Sequence, residues 1–216
     1  MRFEALGDQA VLAYCDDENG ALAWASAVRS AELPWRLDVV QAYTSVAVYY
    51  DIAQIDYTAA VAALPRATGE SSPTAKGKQH RIPCCYELGL DFAALQQHSG
   101  LTRERIVKLH AGTWYTVYAI GFCPGFPYMG YLPEAIAGLP RLPSPRLRVE
   151  AGSVGLTGRQ TGIYTEPRPG GWNIVGRTPL ELVNVADGYF PLRTGDQVRF
   201  EPIDESEYRR LLGERL

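Results

Sequence analysis

The sequence predicts two domains: a small α+β domain, ferredoxin-like in its layering, followed by a mostly β barrel domain. Three observations carry that expectation. Residues 1 to 65 alternate strand and helix signals in the order strand, strand, helix, strand, strand, helix. Residues 66 to 80 (RATGESSPTAKGKQH) hold no aliphatic side chain larger than alanine, so they cannot repay ordering entropy by burial and read as a linker. Finally, the stretch from Gly121 to Pro179 holds 11 of the 21 glycines and 9 of the 15 prolines. Such density excludes helix and implies short strands joined by tight turns.

In the first domain, Phe3–Leu6 and Val11–Cys15 are strands parted by the turn pair Gly7-Asp8. The run Ala21–Leu33 places Leu22, Ala25 and Val28 at helical spacing beside Trp24, and Pro34 stops it. Leu37–Ala42 and Ser45–Asp51 are strands rich in Val and Tyr, and Tyr57–Leu64 is a helix closed by Pro65.

The second domain, 81–216, opens with a strand at Ile82–Tyr86 and two helices, Asp91–His98 and one capped by Thr102 that runs to about Ala111. Ile106, Leu109 and His110 share a helix face, which makes His110 a half-buried packing residue. Strands are expected at Thr113–Phe122, Val154–Thr157, Gly162–Thr165, Trp172–Val175, Leu180–Val185 and Gln197–Glu201, then a terminal helix Glu205–Leu216. Short strands at such regular spacing read as a closed or nearly closed barrel.

Composition narrows the function. With net charge −3 and pI near 5.7, the chain has no basic surplus for nucleic acid, and no apolar run approaches membrane-spanning length. A reduced, cytoplasmic protein is the simplest account of four cysteines (Cys15, Cys84, Cys85, Cys123) without C-x-x-C spacing. The three histidines are scattered, so no metal site is proposed. The Gly121–Pro179 stretch carries six arginines, no lysine, histidine or aspartate, and three glutamates. Guanidinium groups among exposed glycine amides suit the binding of a carboxylate or phosphoryl oxygen, although turns with arginines on a solvated barrel rim would look alike. No G-x-x-x-x-G-K-[ST] loop occurs, so a nucleotide site would need other parts.

Four strings stand in order: GFCPGFPYMG from Gly121, PRLRVEAGSVG from Pro145, QTGIY from Gln160 and GGWNIVGRTP from Gly170. Together they closely resemble the KipI family, whose members include the B subunit of the bacterial ATP-dependent 5-oxoprolinase and the so-called subunit 1 of allophanate hydrolase. The module is also similar to part of the carboxyltransferase region of urea carboxylase. The resemblance implies a cyclophilin-like barrel and a non-autonomous role in the ATP-dependent opening of 5-oxo-L-proline to L-glutamate. It further implies two partner subunits, one KipA-like and one LamB/YcsF-like, and ATP shared with a partner. Alternatives within the family are inhibition of a sporulation histidine kinase and a part in urea or allophanate metabolism. Carried onto this sequence, the pattern gives an apolar wall of Phe126 and Tyr128 and a polar lining of Arg148, Ser153, Gln160, Thr161 and Tyr164, with a structural ion pair to Glu150 or Glu166 as the alternative for Arg148. Trp172 and Arg177 close the set, with Gly125, Gly152 and Gly162 admitting a ligand close to the backbone. Cys123 is expected to be a small buried hydrophobe and no nucleophile.

Overall fold

The computed structural model describes residues 1–65 and 77–216. The chain divides into two compact units, Met1–Lys76 and Gly77–Leu216. Of the expected linker, 66–76 lie outside the described residues, while Gln79 and His80 already belong to a strand.

The first unit contains β1 (Arg2–Leu6), β2 (Ala10–Tyr14), α1 (Glu18–Ser30), β3 (Arg36–Ala42), β4 (Ser45–Tyr50) and α2 (Tyr57–Ala63). Its strands lie in the order β1-β2-β4-β3, antiparallel throughout, with α1 against β3 and β4 and α2 against β2. A ferredoxin-like chain runs βαββαβ; here β2-α1-β3 with β4 between them forms the split βαβ, and the strand outside β2 comes from the chain's start. Helix α1 begins three residues before the expected Ala21, because the Asp17 carboxylate accepts from the Gly20 amide at 2.6 Å and caps it. It ends at Ser30, short of Leu33. Ala21, Trp24, Ala25 and Val28 make its buried stripe, packed on Val11, Val46, Val48 and Tyr50.

The second unit contains β5 (Gln79–Cys85), α3 (Phe92–Ser99), α4 (Arg103–Ala111), β6 (Tyr115–Ile120), β7 (Pro127–Gly130), β8 (Arg146–Val149), β9 (Ser153–Thr157), β10 (Gln160–Ile163), β11 (Arg168–Gly170), β12 (Asn173–Arg177), β13 (Gln197–Ile203) and α5 (Glu205–Arg210). Seven of these strands follow one another as β6-β13-β5-β12-β9-β10-β7, and β7 pairs back onto β6, closing a barrel. Its first and last strands, β5 and β13, pair in parallel from Gln79↔Gln197 to Cys85↔Ile203. The other barrel pairings in the second unit are antiparallel. Strands β8 and β11 form a separate two-stranded ribbon.

Several expectations are corrected here. Strand β7 is not among the strands expected from sequence; Pro127 is tolerated because it is the strand's first residue. Leu180–Val185 forms no strand: Leu182 is buried and Leu180 packs on the core, yet only isolated bridges at Glu181 and Asn184 occur there. The terminal helix stops at Arg210.

The barrel is solid. Ile82, Tyr115, Val117, Met129, Val154, Leu156, Ile163, Val175, Val198 and Phe200 fill it, as expected for a barrel this small. His110, expected to be half-buried, is fully buried and stacks on Phe200 with ring centroids 4.8 Å apart. Because side chains alternate along a strand, Tyr128 beside Met129, Tyr164 after Ile163 and Ile174 beside Val175 leave the lumen and form a second apolar cluster, with Phe126, Val149 and Trp172. A site in this unit has to be built on that outer cluster.

Candidate functional site

The outer cluster opens into a cleft of about 290 Å³. Its aromatic side is Phe122, Phe126, Tyr128, Tyr164 and Trp172, and its other side is Arg141, Pro145 and the segment Pro169–Gly171. The rings interlock edge to face: Phe126 meets Tyr164 at 5.3 Å and 84°, and Trp172 at 5.5 Å and 88°. Glycine is required at 170, because a Cβ there would collide with the Tyr164 hydroxyl oxygen. Burial raises the phenol pKa of both Tyr128 and Tyr164, with Arg141 pulling the other way, so both hydroxyls stay protonated at neutral pH.

Arg141 is exposed, and the backbone on either side of it is tied down. The Asn173 side-chain amide donates to the Pro140 carbonyl at 2.9 Å, and the Leu142 amide donates to the Gly171 carbonyl at 2.7 Å. Its guanidinium has no carboxylate partner among the described residues. Phe122 is unusual in another way. Its φ is +65°, a left-handed conformation that costs a non-glycine residue roughly 1–2 kcal/mol, and it remains 60% exposed. The turn beneath it is tied by Cys123 N–H to Gly121 O at 2.7 Å and Gly121 N–H to Phe126 O at 3.1 Å.

Of the residues expected from sequence, the structure brings Phe126, Tyr128, Tyr164 and Trp172 together in this cleft. The rest do not line it. Arg148 is exposed and spends its guanidinium on Glu150, at 2.6 and 3.2 Å. Arg177 donates to the Ala151 carbonyl at 2.8 Å, and Ser153 is buried in β9. Gln160 opens β10 opposite Gly130. Thr161 lies wholly inside the barrel, where its hydroxyl donates to Gly155 O at 3.0 Å. It therefore accepts from His110 Nε2–H at 3.0 Å, which leaves Nδ1 to accept the Tyr86 hydroxyl at 2.7 Å.

The three glycines serve chain packing. Gly125 (φ +69°) and Gly152 (φ +80°) hold left-handed turns, and a Cβ on Gly152 would collide with the Thr178 carbonyl. At Gly162 a Cβ would press the Pro127 carbonyl at 2.8 Å and the Phe126 ring at 3.0 Å. Cys123 is buried in the aromatic cluster, its sulfur 3.5 Å from the Thr165 hydroxyl.

The expected arginine-lined hollow is thus an aromatic cleft with one arginine. Arg146 bonds Asp91, Arg168 bonds Glu166, and Arg159 lies over the Tyr131 ring at 4.3 Å. Sequence reasoning missed Arg141 and Phe122. The Arg148–Glu150 pair is the ionic alternative the sequence offered, and both it and Glu166–Arg168 stand two apart, where side chains of an extended chain share a face. Replacing Arg148 with alanine is therefore expected to leave the melting temperature unchanged, as for an exposed pair; a clear drop by differential scanning calorimetry contradicts this.

A larger groove of about 680 Å³ runs between α4 and β13. Its guanidinium groups are engaged: Arg81 with Glu201, Arg103 with the Tyr86 carbonyl, Arg199 with the Ala111 carbonyl. No group of three or more His, Cys, Asp or Glu among the described residues is placed to hold a metal ion, and no helix there is long and apolar enough to cross a membrane.

Comparison with known proteins agrees with this architecture. The family profile described as "Carboxyltransferase domain, subdomain C and D" matches residues 1–189. The chain is 34% identical to the B subunit of 5-oxoprolinase from Bacillus subtilis, across 96% of this chain and 95% of that one. It is 48% identical to the protein of the same name from Escherichia coli O157:H7 over 54% of each. The crystal structure of TTHA0988 superposes with a TM-score of 0.77 at 33% identity over 91% of this chain, which spans 40% of that longer one. With a matching profile over most of its length and a relative aligned nearly end to end, this chain belongs to the carboxyltransferase subdomain C and D family, in the branch of the 5-oxoprolinase B subunits.

Proposed function

We propose that this chain is the B subunit of an ATP-dependent 5-oxoprolinase, a cytoplasmic assembly that opens 5-oxo-L-proline to L-glutamate. In this reading the barrel is cyclophilin-like, the first unit is a rearranged ferredoxin-like layer, and the partners are a KipA-like and a LamB/YcsF-like subunit. The observation that carries it is the near end-to-end similarity to the Bacillus subtilis protein of that name.

The cleft supports a binding role. No His, Asp, Glu, Ser, Thr or Cys lines it, and its tyrosines are held neutral, so it offers no general base or nucleophile. His110, the nearest thing to a base in the barrel, is sealed between Tyr86 and Thr161. Hydrolysis therefore falls to a partner. ATP would supply activation, since phosphorylating the oxygen of an unstrained lactam turns a poor electrophile into a good one. A cleft with a single free guanidinium does not suit a triphosphate, so in this reading the ATP shared with a partner lies outside this cleft.

Co-expression tests this. Purified alone, the chain is expected to release no glutamate from 5-oxoproline and ATP; with both partners it is expected to do so, strictly with ATP. Turnover by the chain alone, or none by the full set, overturns the proposal.

A further inference from the structure

Resting on that reading, we propose that the cleft beneath Phe122 binds the lactam substrate itself and not the nucleotide, with Arg141 gripping the carboxylate and Phe122 capping the ring.

Three properties of the cleft converge on a small ring bearing one carboxylate. The first is size. About 290 Å³ falls just under the roughly 300–1,000 Å³ range of ligand pockets, room for a single five-membered ring with its substituents and not for a base, ribose and three phosphates. The second is charge. Arg141 is the one charged residue lining the cleft, the backbone on either side of it is tied down, and its guanidinium is not spent on a carboxylate among the described residues, which suits one anionic group. A triphosphate brings several charges and needs several cations to meet them. The third is the wall. Phe126, Tyr128 and Trp172 form an apolar face against which a flat ring can lie, and across from it the Gly170-Gly171 backbone lets a ligand approach closely between Pro145 and Pro169.

Phe122 makes the argument specific. A bulky residue in a left-handed conformation is unfavourable, and a ring 60% exposed recovers little by burial. Glycine stands at 121 and 125 of the same turn, so glycine at 122 would suit the backbone better. The ring stands edge-on to Phe126 at 5.4 Å and to Tyr164 at 6.2 Å, at the edge of the cleft. Folding does not account for it, whereas covering a bound ring does.

The test uses the assembled complex and two probes: 5-oxoproline, and 2-pyrrolidone, the same ring without its carboxylate, as a competitive inhibitor. Arg141→Met is expected to raise KM for 5-oxoproline about tenfold or more while KM for ATP and inhibition by 2-pyrrolidone stay within about twofold. Phe122→Gly is expected to weaken both ring ligands while the chain's melting temperature holds or rises. An unmoved KM for 5-oxoproline in Arg141→Met, or a raised KM for ATP instead, overturns the assignment. So does a Phe122→Gly variant that melts lower with KM unchanged. If the wild-type complex releases no glutamate, the functional reading fails on its own, and NMR titration of the chain decides the cleft. Shifts of the Gly170 and Gly171 amides with both probes, lost in Arg141→Met for 5-oxoproline alone, support the site; no shifts with either probe overturn it.

Discussion

Acidification from pH 7 to pH 4 is expected to destabilise the chain through His110 by on the order of 1 kcal/mol for each pH unit below 6.5. Burial pushes this imidazole from its ordinary 6.5 down to about 3. Both ring nitrogens are already bonded, Nε2 as donor to Thr161 and Nδ1 as acceptor from Tyr86. A proton on Nδ1 would turn that acceptor into a donor facing a hydroxyl, inside a wall of Tyr115 and Phe200. The sign follows. Between pH 6.5 and about 3 the unfolded chain binds a proton that the folded chain refuses, so stability is full above 6.5 and declines as pH falls. The total across the window is on the order of a few kcal/mol, against the roughly 5–15 kcal/mol that holds a domain together. Urea unfolding at pH 7, 5 and 4 measures it. His110→Gln keeps a donor and an acceptor without titrating, so its curve should lack this slope while retaining that of the carboxylates. Equal slopes in the two proteins would show that His110 takes up its proton in the folded state.

His110 also marks the limit of what the sequence discloses. Helical spacing put it on the inner face of α4 with Ile106, and that placement holds. Its depth does not follow from spacing, because the strands that cover it, β13 with Phe200 and β10 with Thr161, come from far along the chain. The barrel was legible because glycine and proline punctuate short β-branched and aromatic runs. Strand β7 was hidden by the same punctuation, since Pro127 and Gly130 bound a strand of only four residues. The four rings that meet in the cleft came from the family pattern, and they stay together because an aromatic residue buries its bulk wherever the strand allows. For the arginines, sequence left ligand binding and ion pairing both open, because charge is visible in a sequence and its partner is not. Arg148 has its acid two residues away, while Arg146 has its own 55 positions back, at Asp91. Of the six arginines, the other five are engaged by a carboxylate, a carbonyl or a ring, which singles out Arg141 among the described residues.

Asp91 is where the second large effect is expected. Its carboxylate lies at the start of α3, accepting from Arg146 at 2.6 Å through one oxygen and from the Ile174 amide at 2.6 Å through the other. It thereby ties the β8 end of the cleft to β12, and Arg146 in turn reaches the Trp172 carbonyl at 3.5 Å. Alanine at 91 leaves a guanidinium and a buried backbone N–H without their acceptor. Breaking a buried pair costs about 3–5 kcal/mol, and the lower end applies here because the Arg146 side chain is still 26% exposed. Asp91→Asn keeps an acceptor for Ile174 and should lose roughly half as much. The pairing is separable from general packing by a double-mutant cycle: if the charges act together, Asp91→Ala combined with Arg146→Met costs less than the sum of the single changes, by about 1–2 kcal/mol. Additive losses would mean that the Ile174 amide alone accounts for the effect. Because the same carboxylate steadies Trp172, a cleft that has lost it should bind its ligand more weakly even at temperatures where the barrel is still folded.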